Sequence, residues 1–459
     1  MRETVVIRPT SATLGAGVTR WLVATDSAGA QLSNTAVQWT SSDVSVASVG
    51  PDGLARGWRP GTVTMTAQRG SAHAFATLAV EPLVLAQISP GGIHTCALTQ
   101  HGEPLCWGAG DGRLGDSSTA PRYVPARVAT PLTFAMVAAG DGSHSCGLVA
   151  GSGAAYCWGI DGMDNVINPG PDNTGSIPAA VPGGLQFKTI AVGYWHACGL
   201  TADGAAYCWG RNDYGQLGVE STGETCNTAH LPCSHMPVRV AGGLSFTSIT
   251  AGGAHSCALT ADGTAYCWGY NGTGELGTGT TDPSAANATP QPVQGGLHFA
   301  AISAGAQHTC GLNTTGTAYC WGAGESGQLG VSFGAICPSS GCTSTTPVAV
   351  SGGLTFSTIQ AGLGFTCALT ADGSAYCWGM NDVGQLGDGT ATSRATPAAV
   401  SGGLHFITMS AKWHGCGTTN DGSAYCWGRN DYGQLGDDHI TSDPHEIFSV
   451  PRRVGGTPP

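Results

Sequence analysis

Short runs of alternating apolar and polar residues, separated by glycine-containing turns, recur along most of this chain. The clearest copy is AHSCALTADGTAYCWGYNGTGELG, residues 254–277. Two strand-like runs flank Ala261–Gly263 there, and Gly263 suits the positive φ of a tight hairpin. No stretch keeps a 3.6-residue apolar period over three helical turns, so long helices are not expected. The pattern predicts an all-β chain built from hairpins.

The same phrase occurs seven times, and its second cysteine recurs after 51, 51, 59, 53, 57 and 49 residues. Each unit has four apolar patches, which predicts about four strands per unit. A period near 50 residues with short strands is typical of a closed radial array. We therefore predict a seven-bladed β-propeller over residues 82–459. Because the chain ends on VPRRVGG and the repeat continues in Leu83–Gly92, the last blade is expected to take strands from both ends.

Residues 1–81 lack the repeat and contain about seven strand-like runs with turn signals between them, which predicts a small β-sandwich. Thr62–Ala67 alternates cleanly, as a strand with one buried face does. The run Trp39–Val49, then Asp52–Leu54 and Gly61–Ala67, resembles the bacterial Ig-like domain of group 2. That resemblance implies a spacer or stalk in a bacterial surface protein. The segment has no cysteine, so its core is expected around Trp39.

The repeat itself resembles the regulator of chromosome condensation (RCC1-type) family. The shared features are a histidine before the cysteine strand, D-G-x-A-Y-C-W-G, and G-Q-L-G, and they extend from Leu83 to Gly456. The resemblance implies the propeller fold and leaves the function open. Its members range from a nucleotide-exchange factor on chromatin to an inhibitor of β-lactamase.

The cysteines indicate the compartment. All 18 cysteines form local pairs, and a separation of 10 or 11 residues places each repeat pair across one hairpin. Close, even pairing favours disulfides and an oxidising compartment, so we expect a bacterial extracellular or cell-surface protein. The opening MRETVVIRPT is too polar for a signal peptide, and a leader is expected to lie outside this sequence. The predicted disulfides are Cys96–Cys106, Cys146–Cys157, Cys198–Cys208, Cys226–Cys233, Cys257–Cys267, Cys310–Cys320, Cys337–Cys342, Cys367–Cys377 and Cys416–Cys426.

The number and distribution of charged residues limit the kinds of partner that we expect. The net charge is −12, only 10% of residues are charged, and no cluster of cations suits a phosphate backbone, so nucleic acid is not expected. No apolar run is long enough to span a membrane. No G-x-S-x-G, H-E-x-x-H or Walker sequence is present, and we expect neither catalysis nor a cofactor.

Two repeated residue sets could carry chemistry. A histidine beside each cysteine pair could bind metal, but Phe365 replaces it in the sixth unit, so we expect packing histidines that bond to backbone, and no metal site. The seven tryptophans of the A-Y-C-W-G strands could form a sugar-stacking ring, but their place in the strongest strand favours a core between blades.

Variable insertions follow the G-Q-L-G position, and insertions at one phase of a repeat emerge on one face. We expect that face to bind a protein or glycan. The candidate contacts are Tyr194, Trp195, Glu224, His230, Phe333 and Trp413. The sequence thus predicts an exported, non-catalytic binding scaffold. Self-assembly into a filament or surface coat is a second hypothesis, and a secreted carbohydrate-active enzyme with facing carboxylates in a central cleft is a third.

Overall fold

The computed structural model describes residues 4–33, 36–159, 175–226, 230–284, 286–332, 342–439 and 446–455. Every regular element in these ranges is a β-strand, as the alternating pattern predicts. Phe333 and Cys337 lie outside the described residues.

The N-terminal segment forms nine strands rather than about seven. They are β1 (Val6–Arg8), β2 (Ser11–Gly15), β3 (Thr19–Trp21), β4 (Val23–Thr25), β5 (Gln38–Ser41), β6 (Ala47–Val49), β7 (Leu54–Gly57), β8 (Gly61–Arg69) and β9 (Ala72–Glu81). One sheet has the order β2-β9-β8-β5, β1 pairs with β4, and β3-β7-β6 extend a sheet of the repeat region. Leu14, Met65 and Ala55 share one buried core. Trp39 is only half-buried and packs against the edge of this core, so it is not the centre that the sequence suggested.

Each of the seven repeats forms a sheet of its own, here numbered sheet 1 to sheet 7 in chain order. The strands are β10 (Leu85–Pro90), β11 (His94–Thr99), β12 (Pro104–Gly108) and β13 (Arg122–Arg127) in sheet 1; β14 (Phe134–Ala139), β15 (His144–Val149), β16 (Ala155–Gly159) and β17 (Ala179–Ala180) in sheet 2; β18 (Thr189–Val192), β19 (His196–Leu200), β20 (Ala206–Arg211), β21 (Glu224–Cys226) and β22 (Leu231–Arg239) in sheet 3; β23 (Ser248–Ala251), β24 (His255–Leu259), β25 (Ala265–Gly269) and β26 (Gln291–Pro292) in sheet 4; β27 (Phe299–Ala304), β28 (His308–Asn313), β29 (Ala318–Ala323) and β30 (Thr343–Ala349) in sheet 5; β31 (Thr358–Ala361), β32 (Phe365–Leu369), β33 (Ala375–Gly379) and β34 (Arg394–Ala399) in sheet 6; and β35 (Phe406–Ala411), β36 (His414–Thr419), β37 (Ala424–Gly428) and β38 (Arg452–Arg453) in sheet 7.

The first strand of each sheet lies innermost and packs against the first strands of both neighbours. Side chains link these strands directly: Gln87 Nε2 donates to Val137 O at 2.9 Å, and Ser303 Oγ accepts from Ala361 N at 2.9 Å. The inner strands therefore surround a common axis, and each sheet radiates outward from it.

The ring closes differently from the sequence prediction. Sheet 7 has its four strands within residues 406–453, and Leu85–Pro90 forms the inner strand of sheet 1, so among the described strands no repeat sheet combines the two ends of the repeat region. Sheets 1 and 7 meet side by side instead, with Leu85 N donating to Gly422 O and Trp107 Nε1 to Gln434 O, both at 2.9 Å. The prediction was wrong because the repeat frame begins on an inner strand and ends on an outer strand of the same sheet.

The N-terminal segment attaches to the outside of sheet 1. Strand β3 pairs in parallel with β13 through Thr19 and Ala126, and Arg56 Nη1 lies 2.8 Å from Asp438 Oδ2. This contact covers the outer edge of sheet 1, which would otherwise expose unpaired backbone groups.

Disulfides join the two central strands of every repeat sheet, as predicted. The paired cysteines stand directly opposite each other in the register, for example Cys257 and Cys267, with Cα atoms 4.0–4.1 Å apart in all seven pairs. So short a distance is typical of the non-hydrogen-bonded position of an antiparallel ladder. An eighth disulfide, Cys226–Cys233, joins β21 to β22. Within the described residues, no cysteine is free.

The repeat tryptophans form the core between sheets, as expected, and none of the seven exposes any surface to solvent. Five of them donate Nε1–H to a main-chain carbonyl of the preceding sheet, at the G-Q-L-G position. These are Trp107 to Gln434, Trp268 to Gln216, Trp321 to Glu275, Trp378 to Gln328 and Trp427 to Gln385, at 2.9–3.1 Å. A buried indole with a satisfied N–H fixes both the spacing and the rotation of neighbouring sheets.

The histidines bond differently from the expectation. Their Nε2 atoms meet a Ser or Thr hydroxyl of the next sheet instead of the backbone. The pairs are His94–Ser145, His196–Ser256, His255–Thr309, His308–Thr366 and His414–Thr95, at 2.6–2.9 Å. Each hydroxyl in turn contacts a G-Q-L-G carbonyl of the histidine's own sheet, as Thr309 does with Glu275 O at 2.9 Å. Since the hydroxyl hydrogen is directed to the carbonyl, the imidazole acts as the donor, and the neutral Nε2–H form fits.

Two of the seven junctions between neighbouring sheets lack the histidine–hydroxyl contact. Phe365 has no ring nitrogen, and the next sheet carries Gly415 at the position of the hydroxyl. His144 faces Ala197 at that position, and both its ring nitrogens are buried without a partner among the described residues. The histidine of one sheet and the Ser or Thr between the histidine and the cysteine of the next sheet therefore form one hydrogen-bonded unit, and in His144 opposite Ala197 only one member is present.

We expect Ala197→Ser to stabilise the protein by about 1 kcal/mol, because a hydroxyl would give the buried His144 Nε2 a partner. The measurement is the urea midpoint of the oxidised chain. Ala97→Ser is the matched control, since Ala97 faces Ile88 and Leu105 across its strands and a hydroxyl there should destabilise. Equal losses in the two variants would contradict the role given to the hydroxyl.

We also expect the free energy of unfolding to fall as the pH drops below 6.5. Burial lowers the pKa of His144, His196, His255, His308 and His414 from 6.5 to about 3. Between these values the unfolded chain binds more protons, so stability is full above pH 6.5 and is lost toward pH 3, by about 1.4 kcal/mol per pH unit for each histidine.

Urea unfolding at pH 4.5–8 measures this slope. The double variant His308→Phe/Thr366→Gly reproduces the Phe365–Gly415 combination and removes one buried imidazole. Its free energy of unfolding should therefore change less steeply with pH than that of the parent, by the contribution of one histidine. An unchanged slope would show that other groups cause the acid sensitivity.

Candidate functional site

The variable insertions all leave the ring at one end, here called the insertion face. Each first strand runs toward this face, and the third-to-fourth strand loops, which hold the insertions, also lie there because neighbouring strands are antiparallel. The turns between the first and second strands form its centre. They are residues 91–93, 140–143, 193–195, 252–254, 305–307, 362–364 and 412–413.

These central turns are tightly packed against each other. Gly92 N donates to Gly140 O at 3.1 Å, and a Cβ atom on Gly92 would lie only 2.2 Å from Asp141 O. Leu363 N donates to Lys412 O at 2.7 Å on the other side of the ring. The centre of the insertion face is therefore a continuous surface of turns.

Two sheets place a tryptophan and an arginine together on this surface. In sheet 3, the Arg211 guanidinium carbon lies 4.4 Å from the ring centre of Trp195, and Tyr194 packs edge-on against the same indole at 4.3 Å. In sheet 7, Arg429 lies 4.9 Å from the ring of Trp413. Both indoles are half-buried, and cation–π contacts of this kind hold an exposed aromatic ring in one orientation.

Carboxylates fix the two arginines in turn. Arg211 Nε lies 2.6 Å from Asp213 Oδ1, and Arg429 Nε lies 2.6 Å from Asp431 Oδ2. Tyr432, next to Asp431, exposes 43% of its surface. Tyr194, Trp195, Arg211, Trp413, Arg429 and Tyr432 are here called the aromatic–arginine patch.

Buried charges lie between the two halves of this patch. Lys412 Nζ is 3.0 Å from Asp141 Oδ2, and their side chains are only 15% and 4% exposed. This ion pair connects the central turns of sheets 7 and 2. Arg113 is buried nearby in sheet 1, within electrostatic reach of Tyr194 and Tyr432, and burial lowers its pKa. The ion pair thus ties the turn that carries Trp413 to the central turn of sheet 2.

The structure places the predicted site residues in two groups. Tyr194, Trp195 and Trp413 lie in the central turns, as the sequence indicated. Glu224 and His230 are exposed on the β21–β22 hairpin at the rim of sheet 3. Phe333 lies outside the described residues.

The sequence analysis missed Arg211, Arg429, Lys412, Asp141 and Arg113. A signal for two of them was present. Only the units with tryptophan before the histidine, YWHAC and KWHGC, have arginine after the A-Y-C-W-G strand, in the shared phrase RNDYGQLG. The residue before the histidine and the residue after the glycine are neighbours across the strand pair, as Arg211 N bonding to Trp195 O shows. The sequence contains no comparable signal for the Lys412–Asp141 contact, because 271 residues separate the two side chains.

The axis of the ring is surrounded by the seven innermost strands. The seven innermost strands contain no charged residue, so their walls hold no facing carboxylates of the kind that the enzyme hypothesis requires. Gln87, Ser89, Thr250 and Ser303 on these strands bond to the backbone of the next strand. Their polar groups serve the ring itself.

Radial four-stranded sheets with a repeated core of tryptophan and histidine define a repeat β-propeller. The chain belongs to the RCC1-like domain family, whose model matches residues 59–417, and the model of the regulator of chromosome condensation (RCC1) repeat matches residues 421–458. The model of the bacterial Ig-like domain (group 2) matches residues 3–78. Both resemblances noted in the sequence are confirmed.

Among curated relatives, the ultraviolet-B receptor UVR8 of Arabidopsis thaliana is 31% identical over 314 residues, which is 66% of each chain. The human E3 ubiquitin-protein ligase HERC2 is 30% identical over 333 residues, 70% of this chain but only 6% of the ligase. Prp20p from Saccharomyces cerevisiae, whose structure was described with its binding to Gsp1p and histones, superimposes with a TM-score of 0.62 at 23% identity, covering 72% of this chain and 80% of that one. These similarities support the fold, and the family is one of protein-binding scaffolds. In the ranges that the structure describes, no helix could cross a bilayer.

We expect Lys412→Met to cost about 3–5 kcal/mol of stability, because the Asp141 carboxylate would remain buried without its cation. Asp141→Asn together with Lys412→Met should recover most of the loss, since no charge is left uncompensated. Thermal unfolding of the parent, the single variant and the double variant checks this. If the single variant matches the parent, the pair does not hold the central turns together.

Proposed function

We propose that this chain is an exported, non-catalytic scaffold that binds a protein through the insertion face, with residues 1–81 as an Ig-like spacer and 82–459 as the propeller. The aromatic–arginine patch carries the proposal. Tryptophan, tyrosine and arginine are the residue types that dominate binding energy at protein interfaces. Here two such groups stand on one face and are held in place before any partner arrives.

Rigidity of the patch supports binding rather than packing alone. An indole clamped between an arginine and its turn loses little side-chain entropy when a partner covers it. The carboxylates of Asp213 and Asp431 keep both guanidinium groups over their rings, so the solvent-facing parts of the two half-buried indoles and the exposed Tyr432 remain the free contact surface.

Export is supported by the covalent structure. Eight disulfides in the described residues, seven of them within repeat hairpins, suit an oxidising compartment. The Ig-like domain at the N-terminus belongs to a bacterial family, which agrees with a bacterial cell surface.

A glycan is the alternative ligand for the same face, since exposed indoles also stack on sugar rings. The arginines already cover part of each indole face, which leaves less area for stacking and favours a protein partner. Self-assembly is the second alternative. The outer strands β17, β26 and β38 have only two residues each, but β30 and β34 end their sheets with seven and six residues and offer longer edges for pairing.

The decisive variant is Trp195→Ala/Trp413→Ala. The immobilised parent chain should capture a surface protein from the organism in which the chain occurs. The double variant should bind that protein at least tenfold more weakly, while its urea midpoint stays close to that of the parent. Phe75→Ala/Ile407→Ala is the matched control, because both residues are exposed apolar side chains away from the patch.

Equal capture by the parent and the patch variant would overturn the proposal. If only the control variant loses capture, the binding site lies outside the aromatic–arginine patch. A glycan array probed with the same variants identifies a sugar ligand. Light scattering at high protein concentration tests self-assembly. If the chain assembles, the measured particle mass should rise above that of a single chain.

A further inference from the structure

The β21–β22 hairpin carries four side chains of the types that bind zinc, all directed to one side. Glu224 and Cys226 are two residues apart on β21, and Cys233 and His235 are two residues apart on β22. Glu224 stands directly opposite Cys233 in the register. Because side chains two apart on a strand share a face, the E-T-C and C-S-H triplets place all four groups together.

The distances agree with this placement. The Sγ atoms of Cys226 and Cys233 and Nδ1 of His235 all lie within 4.8 Å of one another. His235 Nδ1 is 3.9 Å from Cys226 Sγ and 3.2 Å from Glu224 Oε2, and the main-chain N–H of His235 donates to the same oxygen at 3.0 Å. Zinc prefers four such ligands, with thiolate, imidazole and carboxylate all accepted.

The histidine and the glutamate are not needed for a disulfide. Four of the seven repeat disulfides have a neutral hydroxyl beside one sulfur, at 3.4–3.9 Å: Ser145 at Cys96, Ser256 at Cys198, Thr309 at Cys257 and Thr366 at Cys310. Cys226 and Cys233 are themselves buried, at 3% and 0% exposure, but the side chains of His235 and Glu224 beside them are 41% and 43% exposed. The hairpin pair is also diagonal, with Cα atoms 5.8 Å apart and Leu231 opposite Cys226.

We propose that this hairpin is a redox-dependent zinc site: a disulfide under oxidising conditions, and a Zn²⁺ site of Cys226, Cys233, His235 and Glu224 when the disulfide is reduced. A dithiol reductant transfers two electrons and two protons to the Cys226–Cys233 bond and becomes a cyclic disulfide. Zn²⁺ then displaces the two thiol protons to the solvent and binds both sulfurs.

His235 supplies Nδ1 as the third ligand in the tautomer that carries its proton on Nε2, so the hydrogen bond from Nδ1 to Glu224 is given up and the Glu224 carboxylate is free to supply an oxygen to the metal. The hairpin remains closed in both states, by a covalent bond in one and by the metal in the other. The blade disulfides are unaffected because their sulfurs lie between packed sheets.

The test uses the full chain with Cys337→Ser/Cys342→Ser, so that only one loop pair remains. After treatment of the folded chain with a dithiol, peptide mapping should show Cys226 and Cys233 reduced and the seven repeat disulfides intact. Titration with Co²⁺ should then give one thiolate–cobalt charge-transfer band per chain, and Zn²⁺ should displace it.

His235→Ala should weaken Co²⁺ binding by at least the ~10–100-fold that the loss of an outer-shell partner costs, because a direct ligand is removed, and Glu224→Gln should weaken it less. His230→Ala is the matched control, since His230 is an exposed histidine of the same hairpin outside the ligand set, and it should bind as the parent does. The proposal is overturned if the hairpin disulfide resists the dithiol while the chain is folded. It is equally overturned if the reduced chain shows no cobalt–thiolate band, or if His235→Ala binds as tightly as the parent.

Discussion

The fold depends on one recurring hydrogen-bonded junction between neighbouring sheets. A main-chain carbonyl at the G-Q-L-G position accepts from the indole of the next sheet and from a Ser or Thr hydroxyl beside it, and that hydroxyl meets the histidine of the carbonyl's own sheet. All these groups are buried, where an unpaired polar atom costs about 1–3 kcal/mol. The junction therefore sets both the distance and the rotation between sheets, and it closes the ring between sheets 7 and 1 without a shared sheet.

The exceptions show how strictly the junction couples its members. Phe365 is tolerated where the next sheet offers Gly415, because neither side then leaves a buried polar atom unpaired. His144 opposite Ala197 is the unbalanced case, and within the described residues Trp158 and Trp209 also lack a partner for Nε1. The boundaries around sheet 2 are thus less well satisfied than the others, and the G-Q-L-G phrase is also missing from that unit.

In this scaffold, the residues that stabilise the fold are different from the residues proposed to bind a partner. Disulfides, indoles and imidazoles occupy the interior of every sheet, and the innermost strands carry no charge. The half-buried indoles of Trp195 and Trp413 stand on the insertion face, where Arg211 and Arg429 orient them. A rigid ring can vary these loops without disturbing its core, which agrees with the different roles of the relatives that share the fold.

The sequence by itself determined the all-β class, the seven hairpin disulfides and the buried tryptophans, because each follows from local spacing: a strand period of two and a ten-residue hairpin. It also placed Tyr194, Trp195 and Trp413 in turns. Only the tertiary structure decided the partners of the histidines, the closure of the ring, the attachment of β3 to β13 and the Lys412–Asp141 pair. These contacts join residues about 50 to 340 positions apart, and no local pattern records which distant group will meet a side chain once the sheets are arranged around their axis.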